Sequence, residues 1–270
     1  MTTVTSKDGT KIAYTKQGSG PAVILVDGAF GHRAFGPMPG LVPLLSNDFT
    51  AVHYDRRGRG ESGDKQPFDK QREIEDIEAL INSLGGSAYL YGISSGAAIA
   101  AVAASTLGAQ KVTKLALYEP SYILDNSHAP IPANYLDQLR KMLSEGRRGD
   151  MAALFMTDVV GLPAEMVSGM KQAPFWGATE QVAHTLLYDG AFMVNNQRAK
   201  PMSDDLRETF EAIKVPTIVI DGSATYPFLH NTAEIVARGI SGAKRRTLEG
   251  QQHDVAPEAI APALIEFFKS

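Results

Sequence analysis

The stretch YLYGISSGAAIAAVAAS, residues 89–105, passes from strand-like aromatic residues through two glycines into an alanine-rich pattern typical of a helix. Ser94 stands in the middle of the pattern G-x-S-x-G, between Gly92 and Gly96. Between a strand and a helix, this pattern holds a serine on a sharp bend with its hydroxyl exposed as a nucleophile. The glycines are expected because the bend brings neighbouring backbone too close for a Cβ atom. A plain strand-to-helix turn is the alternative interpretation.

Strand and helix patterns alternate on both sides of this stretch. AVILV (22–26) is a continuous apolar run of the kind found in buried parallel strands, and residues 69–85 carry apolar side chains at helical spacing. Further strands are predicted at 11–17, 49–55, 88–91, 114–118, 216–221 and 244–249, and further helices at 95–105, 228–239 and 256–270. This alternation predicts an α/β fold with a mostly parallel central sheet and helices on both faces.

The alternation is interrupted between residues 122 and 205. This segment contains seven of the nine methionines and the single tryptophan, Trp176, and its patterns are helical without strands. A helical insertion at the carboxyl ends of parallel strands predicts a cap over a ligand site. We therefore expect a core domain formed by 1–121 and 206–270 and a helical cap formed by 122–205.

Composition excludes several classes of function. The chain has no cysteine, which excludes disulfides and thiolate chemistry, and its formal charge of −4 offers no basic field for nucleic acid. The N-terminal residues show no signal-peptide pattern, and no apolar run approaches membrane-spanning length. We expect a soluble cytoplasmic protein that binds a small molecule and has no nucleic-acid or membrane partner. The sequence does not decide whether the protein forms a homodimer.

A nucleophilic serine needs a general base, and His253 is the candidate. It follows the last predicted strand and precedes the final helix, in a loop at the sheet edge where Ser94 would emerge. The alternative is a solvated loop histidine.

The acid that would orient this histidine is less obvious. In α/β folds that carry a serine, an acid and a histidine in this order, the acid usually lies in the loop after the penultimate strand. Here Thr225 stands at that position instead of an aspartate. Glu119 ends the strand that follows the Ser94 helix, and its position keeps the chain order serine, acid, histidine. Glu119 is therefore the predicted acid, with Asp221 and Asp254 as alternatives.

Two backbone amides are expected to bind the oxyanion of a tetrahedral intermediate. The amide of Ser95 begins the helix after the bend, and the loop DGAFGH (27–32) supplies a second amide from Gly28 or Ala29. The sequence does not distinguish between these two residues.

With these features and the loop DRRGRGES (55–62), in which the arginines are expected to form structural ion pairs, the chain resembles the α/β-hydrolases. That resemblance implies a cap inserted after the sixth strand. Within that superfamily it resembles the zearalenone lactone hydrolases, through Asp27-Gly28, Ser94-Ser95-Gly96, Glu119-Pro120 and a threonine-containing loop without aspartate. The resemblance implies a Ser94-Glu119-His253 triad and a cap tryptophan against the substrate, for which Trp176 is the candidate. A tryptophan packed in the cap core is the alternative.

The sequence therefore predicts a serine hydrolase that cleaves an ester or lactone of an apolar, ring-bearing small molecule, with neither a metal nor an organic cofactor. Tyr122, Tyr188 and Phe30 are further candidate substrate contacts. Two alternatives are an enzyme of this fold adapted to C–C bond cleavage or another non-hydrolytic reaction, and a ligand-binding sensor with little turnover.

Overall fold

A computed structural model describes residues 2–270. Its centre is one eight-stranded sheet with the order β1-β2-β4-β3-β5-β6-β7-β8. The strands are β1 Thr2–Thr5, β2 Lys11–Gln17, β3 Ala22–Val26, β4 Thr50–Tyr54, β5 Ala88–Ile93, β6 Val112–Tyr118, β7 Thr217–Gly222 and β8 Lys244–Leu248. The pairs β1–β2 and β2–β4 are antiparallel, and every other pair is parallel. The predicted mostly parallel α/β sheet is confirmed.

Helices cover both faces of this sheet. They are α1 Met38–Leu45, α2 Lys70–Ser83, α3 Ser95–Leu107, α9 Asp204–Ala212, α10 Pro227–Gly239 and α11 Pro257–Lys269. On one face, α2, α3, α9 and α10 enclose an apolar core, and on the other face α1 and α11 enclose a second. The small side chains of α3 let it approach the sheet closely, and Ala97 to Ala101 are all at most 1% exposed. β1 and α1 were not predicted from the sequence.

The helical cap lies between β6 and β7. Its helices are α4 Tyr135–Ser144, α5 Arg148–Leu154, α6 Ala164–Met170, α7 Trp176–Val182 and α8 Leu186–Met193, with a π-helical turn at Phe155–Val159 and 3₁₀ turns at Ala183–Thr185 and Val194–Asn196. A third apolar cluster joins the cap to Phe30 and Phe228 of the core. Since α9 begins at Asp204, a helix of the core starts two residues before the expected boundary. The division at 205 stays a prediction.

Candidate active site

Ser94 occupies a strained bend between β5 and α3. Its backbone has φ 58° and ψ −126°, a conformation that residues other than glycine rarely adopt. Such strain persists only where the surrounding structure imposes it, and it is concentrated at functional sites. Ser94 therefore differs in backbone conformation from a residue in an unstrained strand-to-helix connection.

The two flanking glycines are required by close backbone contacts. A Cβ atom on Gly92 would lie 2.4 Å from the Gly96 carbonyl oxygen, and one on Gly96 would lie 2.2 Å from the Val26 oxygen. Both distances are far below van der Waals contact, so neither position accepts a side chain without displacement of the backbone. The steric reason expected for the G-x-S-x-G pattern is confirmed.

The loop after β3 lies directly against this bend. A Cβ atom on Gly28 would lie 2.9 Å from Ser94 Cβ, so only a glycine lets the loop approach the serine this closely. Ala29 lines the same cavity as Ser94 and Ser95, whereas Gly28 does not. The loop thus brings a second backbone segment beside the first turn of α3.

Glu119 and His253 meet across the carboxyl edge of the sheet. Glu119 Oε2 lies 2.7 Å from His253 Nδ1, and the glutamate is 0% exposed. A carboxylate at this distance assigns the proton to Nδ1 and leaves Nε2 free to accept one. Glu119 itself has a positive φ of 43°, a second strained residue at this edge.

Two further groups hold the Glu119 carboxylate in place. The Gly222 amide donates to Oε1 at 2.8 Å, and the Thr225 hydroxyl donates to Oε2 at 3.0 Å. Both oxygens of the buried carboxylate therefore have hydrogen-bond donors. The threonine at the usual acid position thus contacts the glutamate that follows the neighbouring strand.

The alternative acids lie elsewhere. Asp221 is also 0% exposed, but its carboxylate contacts His230 Nδ1 at 2.6 Å, Arg245 at 2.9 Å and Thr247 at 3.0 Å. Asp254 is exposed. Neither carboxylate is hydrogen-bonded to His253 in the described residues 2–270.

Ser94 and His253 line one cavity, but they are not hydrogen-bonded to each other. Within residues 2–270, the single side-chain hydrogen bond of Ser94 Oγ joins it to Ser121 Oγ at 3.0 Å. Ser121 Oγ donates to the Glu119 carbonyl oxygen at 3.2 Å, so Ser94 is the donor to Ser121. Hydrogen bonds between a nucleophile and its base are often loose before substrate binds.

The cavity has a volume of about 680 Å³, including its open mouth, and lies between the cap and the carboxyl ends of the strands. Its walls are mainly apolar and include Ile123, Phe155, Val159, Leu186, Met193 and Phe228. Phe155 and Val159 belong to the π-helical turn, a rare geometry often found at functional sites. The one carboxylate in the lining is Asp189 of α8, and the lining contains neither lysine nor arginine.

The predicted aromatic substrate contacts require correction, because none of the four lines the cavity. Trp176 is 5% exposed in the cap core and donates from Nε1 to Glu180 at 2.8 Å. Tyr122 packs in the core beside Phe210.

The other two, Tyr188 of the cap and Phe30 of the core, also lie outside the cavity lining. Tyr188 faces away from the cavity, stacks on Phe68 at 3.9 Å and donates to Asp64. Phe30 supports the wall from behind, through an edge-to-face contact with Phe155 at 5.2 Å.

Three participants were not identified from the sequence: Ser121, Asp189 and the Thr225 hydroxyl as a donor. Ser121 follows Glu119-Pro120 directly, so its closeness to Glu119 in the sequence could have indicated that it lies near the site. Asp189 had no such signal, because it approaches Ser95 only through the folding of the cap. Its carboxylate accepts from Ser95 Oγ at 2.7 Å.

The arginine-rich loop is structural, as expected. Arg56, Arg57 and Arg59 are at most 1% exposed. Arg56 binds Glu73 and Asp189, and Arg57 binds Asp76 through two hydrogen bonds. Buried and paired guanidinium groups are not free to bind an anionic ligand.

Residues 2–270 contain neither a candidate metal-binding cluster nor a candidate membrane-spanning helix. No group of three or more histidine, aspartate or glutamate side chains there could hold a metal ion. No helix in the same residues has both the length and the apolar character to cross a membrane.

Comparisons with known proteins agree with this architecture. The structure of an alpha/beta hydrolase from Sphaerobacter thermophilus is 46% identical and superposes with a TM-score of 0.87, covering 99% of this chain and 100% of that one. A thermophilic esterase from Thermogutta terrifontis shares the fold at 21% identity, with a TM-score of 0.73 and coverage of 99% and 97%. A probable oxidoreductase, EphD, from Mycobacterium tuberculosis is 36% identical over 86 residues, a match that spans 30% of this chain and 14% of that protein. Residues 23–263 match the alpha/beta hydrolase family, and the chain belongs to that family.

Proposed function

We propose that this protein is a serine hydrolase that cleaves an ester or lactone through an acyl-enzyme on Ser94. The observation that carries the proposal is the 2.7 Å contact between the fully buried Glu119 and Nδ1 of His253, in the cavity that the strained Ser94 lines. A carboxylate that holds Nδ1–H leaves Nε2 as a base towards the cavity. A protein that only binds a ligand needs neither this acid–base pair nor a strained serine.

In the proposed reaction, His253 takes the hydroxyl proton as Ser94 Oγ attacks the carbonyl carbon. For this step, Ser94 exchanges its hydrogen bond with Ser121 for one with Nε2. The tetrahedral oxyanion then collapses, and the alcohol leaves with the proton from His253. Water, deprotonated by His253, hydrolyses the acyl-enzyme and regenerates Ser94. In a lactone the alcohol stays tethered, so the product is a single hydroxy acid.

The amides of Ser95 and Ala29 are the proposed oxyanion donors. Both residues line the cavity beside Ser94, and this favours Ala29 over Gly28 as the source of the second amide. Ser95 is also the first residue of α3, where the backbone N–H points out of the helix end. Each donor contributes about 3 kcal/mol to transition-state stabilisation in comparable sites.

The cavity favours a neutral, apolar substrate. Its walls are mainly aliphatic and aromatic, and they contain no lysine or arginine to form an ion pair with a substrate carboxylate. The aromatic side chains of Phe155 and Phe228 in these walls suit a ring-bearing molecule. A ring-bearing lactone, as the resemblance to the zearalenone lactone hydrolases suggests, fits these requirements. In that case the ring contacts Phe155 and Phe228 rather than Trp176.

A fluorophosphonate probe tests the proposal directly, because its stable adduct forms only on an activated serine. We expect one adduct in the intact mass of the wild-type protein and none in Ser94→Ala. Ser105→Ala, on the same helix but hydrogen-bonded to Val102 within it, is the matched control and is expected to label normally. An adduct that persists in Ser94→Ala, or a wild-type protein that does not react, would contradict the assignment.

Substrate screening follows with neutral aryl esters, alkyl esters and lactones. Each ester is paired with an analogue that carries an additional carboxylate. Faster turnover of the neutral member of each pair is expected, and a preference for the anionic member would overturn the proposed substrate class. Products that arise from C–C bond cleavage would favour the non-hydrolytic alternative.

A further inference from the structure

Asp189 joins the cap to the two backbone segments that flank Ser94. It lies on α8 and is 4% exposed, and its Oδ1 accepts from Ser95 Oγ and from Arg56, each at 2.7 Å. Its Oδ2 accepts from Arg59 Nη2 at 2.8 Å. Both carboxylate oxygens are thus engaged by buried donors, which hold the side chain in one position. Two of these donors, Ser95 and Arg59, connect Asp189 to the backbone segments beside Ser94.

Arg59 carries the connection to the loop after β3. Its Nη1 donates to the carbonyl oxygens of Gly28 and Gly31, the latter at 3.1 Å. A trans peptide is planar, with its C=O and N–H pointing in opposite directions. The guanidinium that holds the Gly28 oxygen on the buried side therefore turns the Ala29 N–H to the opposite side, towards the cavity that Ala29 lines.

The same argument applies to the other amide. The Ser94 carbonyl accepts from the Ala97 amide at 3.0 Å inside the first turn of α3, so the Ser95 N–H points away from the helix. The hydrogen bond from Ser95 Oγ to Asp189 fixes the side chain of this residue. Asp189 thus restrains Ser95 directly and the Gly28–Ala29 peptide through Arg59.

We propose that Asp189 and Arg59 are positioning residues that align both oxyanion amides, so that the cap completes the oxyanion hole. The inference rests on the function proposed above for Ser94. Burial alone would raise the pKa of Asp189, but Arg56 and Arg59 outweigh it and hold this pKa below its usual value. Asp189 is therefore ionised, and both of its oxygens can accept hydrogen bonds from Ser95, Arg56 and Arg59.

The proposal is tested with Asp189→Asn, which keeps the shape of the side chain but removes its charge. Asp76→Asn is the matched control, because Asp76 is a buried aspartate that binds Arg57 of the same loop by 2.8 and 2.7 Å hydrogen bonds, outside the cavity. We expect a 10- to 100-fold fall in kcat for Asp189→Asn with KM within about twofold, since removal of a whole oxyanion donor costs about 10²- to 10³-fold. Asp76→Asn is expected to lower Tm and leave kcat within about twofold.

A second readout is the affinity of phenylboronic acid. Its adduct with Ser94 is tetrahedral and places an oxygen in the oxyanion hole, so its Kd should rise by about the same factor as kcat falls. A variant that is only less stable would have a lower Tm, without a matching fall in kcat and rise in the Kd of phenylboronic acid. Equal kcat losses in Asp189→Asn and Asp76→Asn, or a change confined to KM, would overturn the proposal.

Ser95→Ala decides the matter if Asp189→Asn does not fold. It removes only the hydroxyl that contacts Asp189 and retains the backbone amide, and a 3- to 10-fold fall in kcat with unchanged KM is expected. Unchanged kcat in this variant would contradict the role of the Asp189 contact. Failure of the proposed function is recognised separately, because the wild-type protein would then bind no boronic acid and form no fluorophosphonate adduct.

Discussion

The Thr225 hydroxyl donates a 3.0 Å hydrogen bond to Glu119 Oε2, the same carboxylate oxygen that lies 2.7 Å from His253 Nδ1. The residue that replaces the usual acid of this fold therefore supports a glutamate supplied by the neighbouring strand, β6. With the Gly222 amide on Oε1, the carboxylate is held from both sides. In the proposed triad the acid therefore lies one strand earlier than is usual for this fold, while the histidine loop keeps its usual place.

Glu119→Gln should lower kcat by about 10³- to 10⁴-fold, because the amide stabilises neither the imidazolium nor the required tautomer. Asp221→Asn is the matched control, since Asp221 is equally buried but binds Arg245 and His230. Steady-state kinetics on one ester, with Tm measured in parallel, compares the two. A larger kcat loss in Asp221→Asn would contradict the assignment of Glu119.

Thr225→Val should lower kcat by about 3- to 10-fold, because one hydrogen bond to the Glu119 carboxylate is lost while the shape of the side chain is kept. Thr247→Val removes a hydrogen bond of the same length to a buried carboxylate, that of Asp221, outside the site. Comparison of the pH–rate profiles separates the two variants. If both have wild-type kcat, Thr225 does not support the acid.

Phe155→Ala should raise KM for bulky aryl esters by about tenfold relative to acetate esters, because lost apolar contact of ~1.4 kcal/mol corresponds to that factor. Trp176→Ala should instead lower the free energy of unfolding by about 3–5 kcal/mol and leave this selectivity unchanged, because the indole packs in the cap core. Kinetics on paired esters and urea unfolding measure both. A selectivity change seen only in Trp176→Ala would indicate that Trp176, and not Phe155, contacts the substrate.

Gly96→Ala should destabilise the fold by about 1–3 kcal/mol or more, since its Cβ would lie 2.2 Å from the Val26 carbonyl oxygen. Gly169→Ala is the control, on an exposed position of α6 where an added Cβ meets no atom within 4 Å. Helix propensity predicts a stabilisation of up to about 1 kcal/mol there. Chemical denaturation of both variants tests the expectation, and equal stabilities would refute the close approach at Gly96.

Stability in acid should depend on Asp189, whose pKa in the folded protein is held below its usual value by Arg56 and Arg59 against the opposing effect of burial. A depressed pKa contributes stability above the unfolded value, about 4, and that contribution is lost as the pH falls through the folded pKa. The difference in unfolding free energy between wild type and Asp189→Asn should therefore shrink from pH 5 towards pH 2. Urea titrations at several pH values measure this difference, and a constant value would contradict the ion pairs.

Much of the sheet was predictable from local patterns. The buried run at 22–26 and the helical spacing at 69–85 reflect the periods of strands and helices, which a single segment reveals. β1 and α1 were not predicted, because a four-residue strand and an eight-residue helix with an internal proline are too short to show a clear hydrophobic periodicity. The four aromatic residues predicted as substrate contacts lie outside the cavity lining. Residue type alone does not indicate the direction in which a side chain points.

The sequence alone determined the α/β alternation, the serine bend between a strand and a helix, and the places of Glu119 and His253 after strand ends, since these depend on backbone sterics and on where strands end. Only the tertiary structure decided that Ala29 rather than Gly28 lines the cavity and that Trp176 lies in the cap core. It also brought Asp189 to Ser95, which is 94 positions away in the chain. Such contacts arise from the packing of the cap on the sheet, and the local sequence contains no record of that packing.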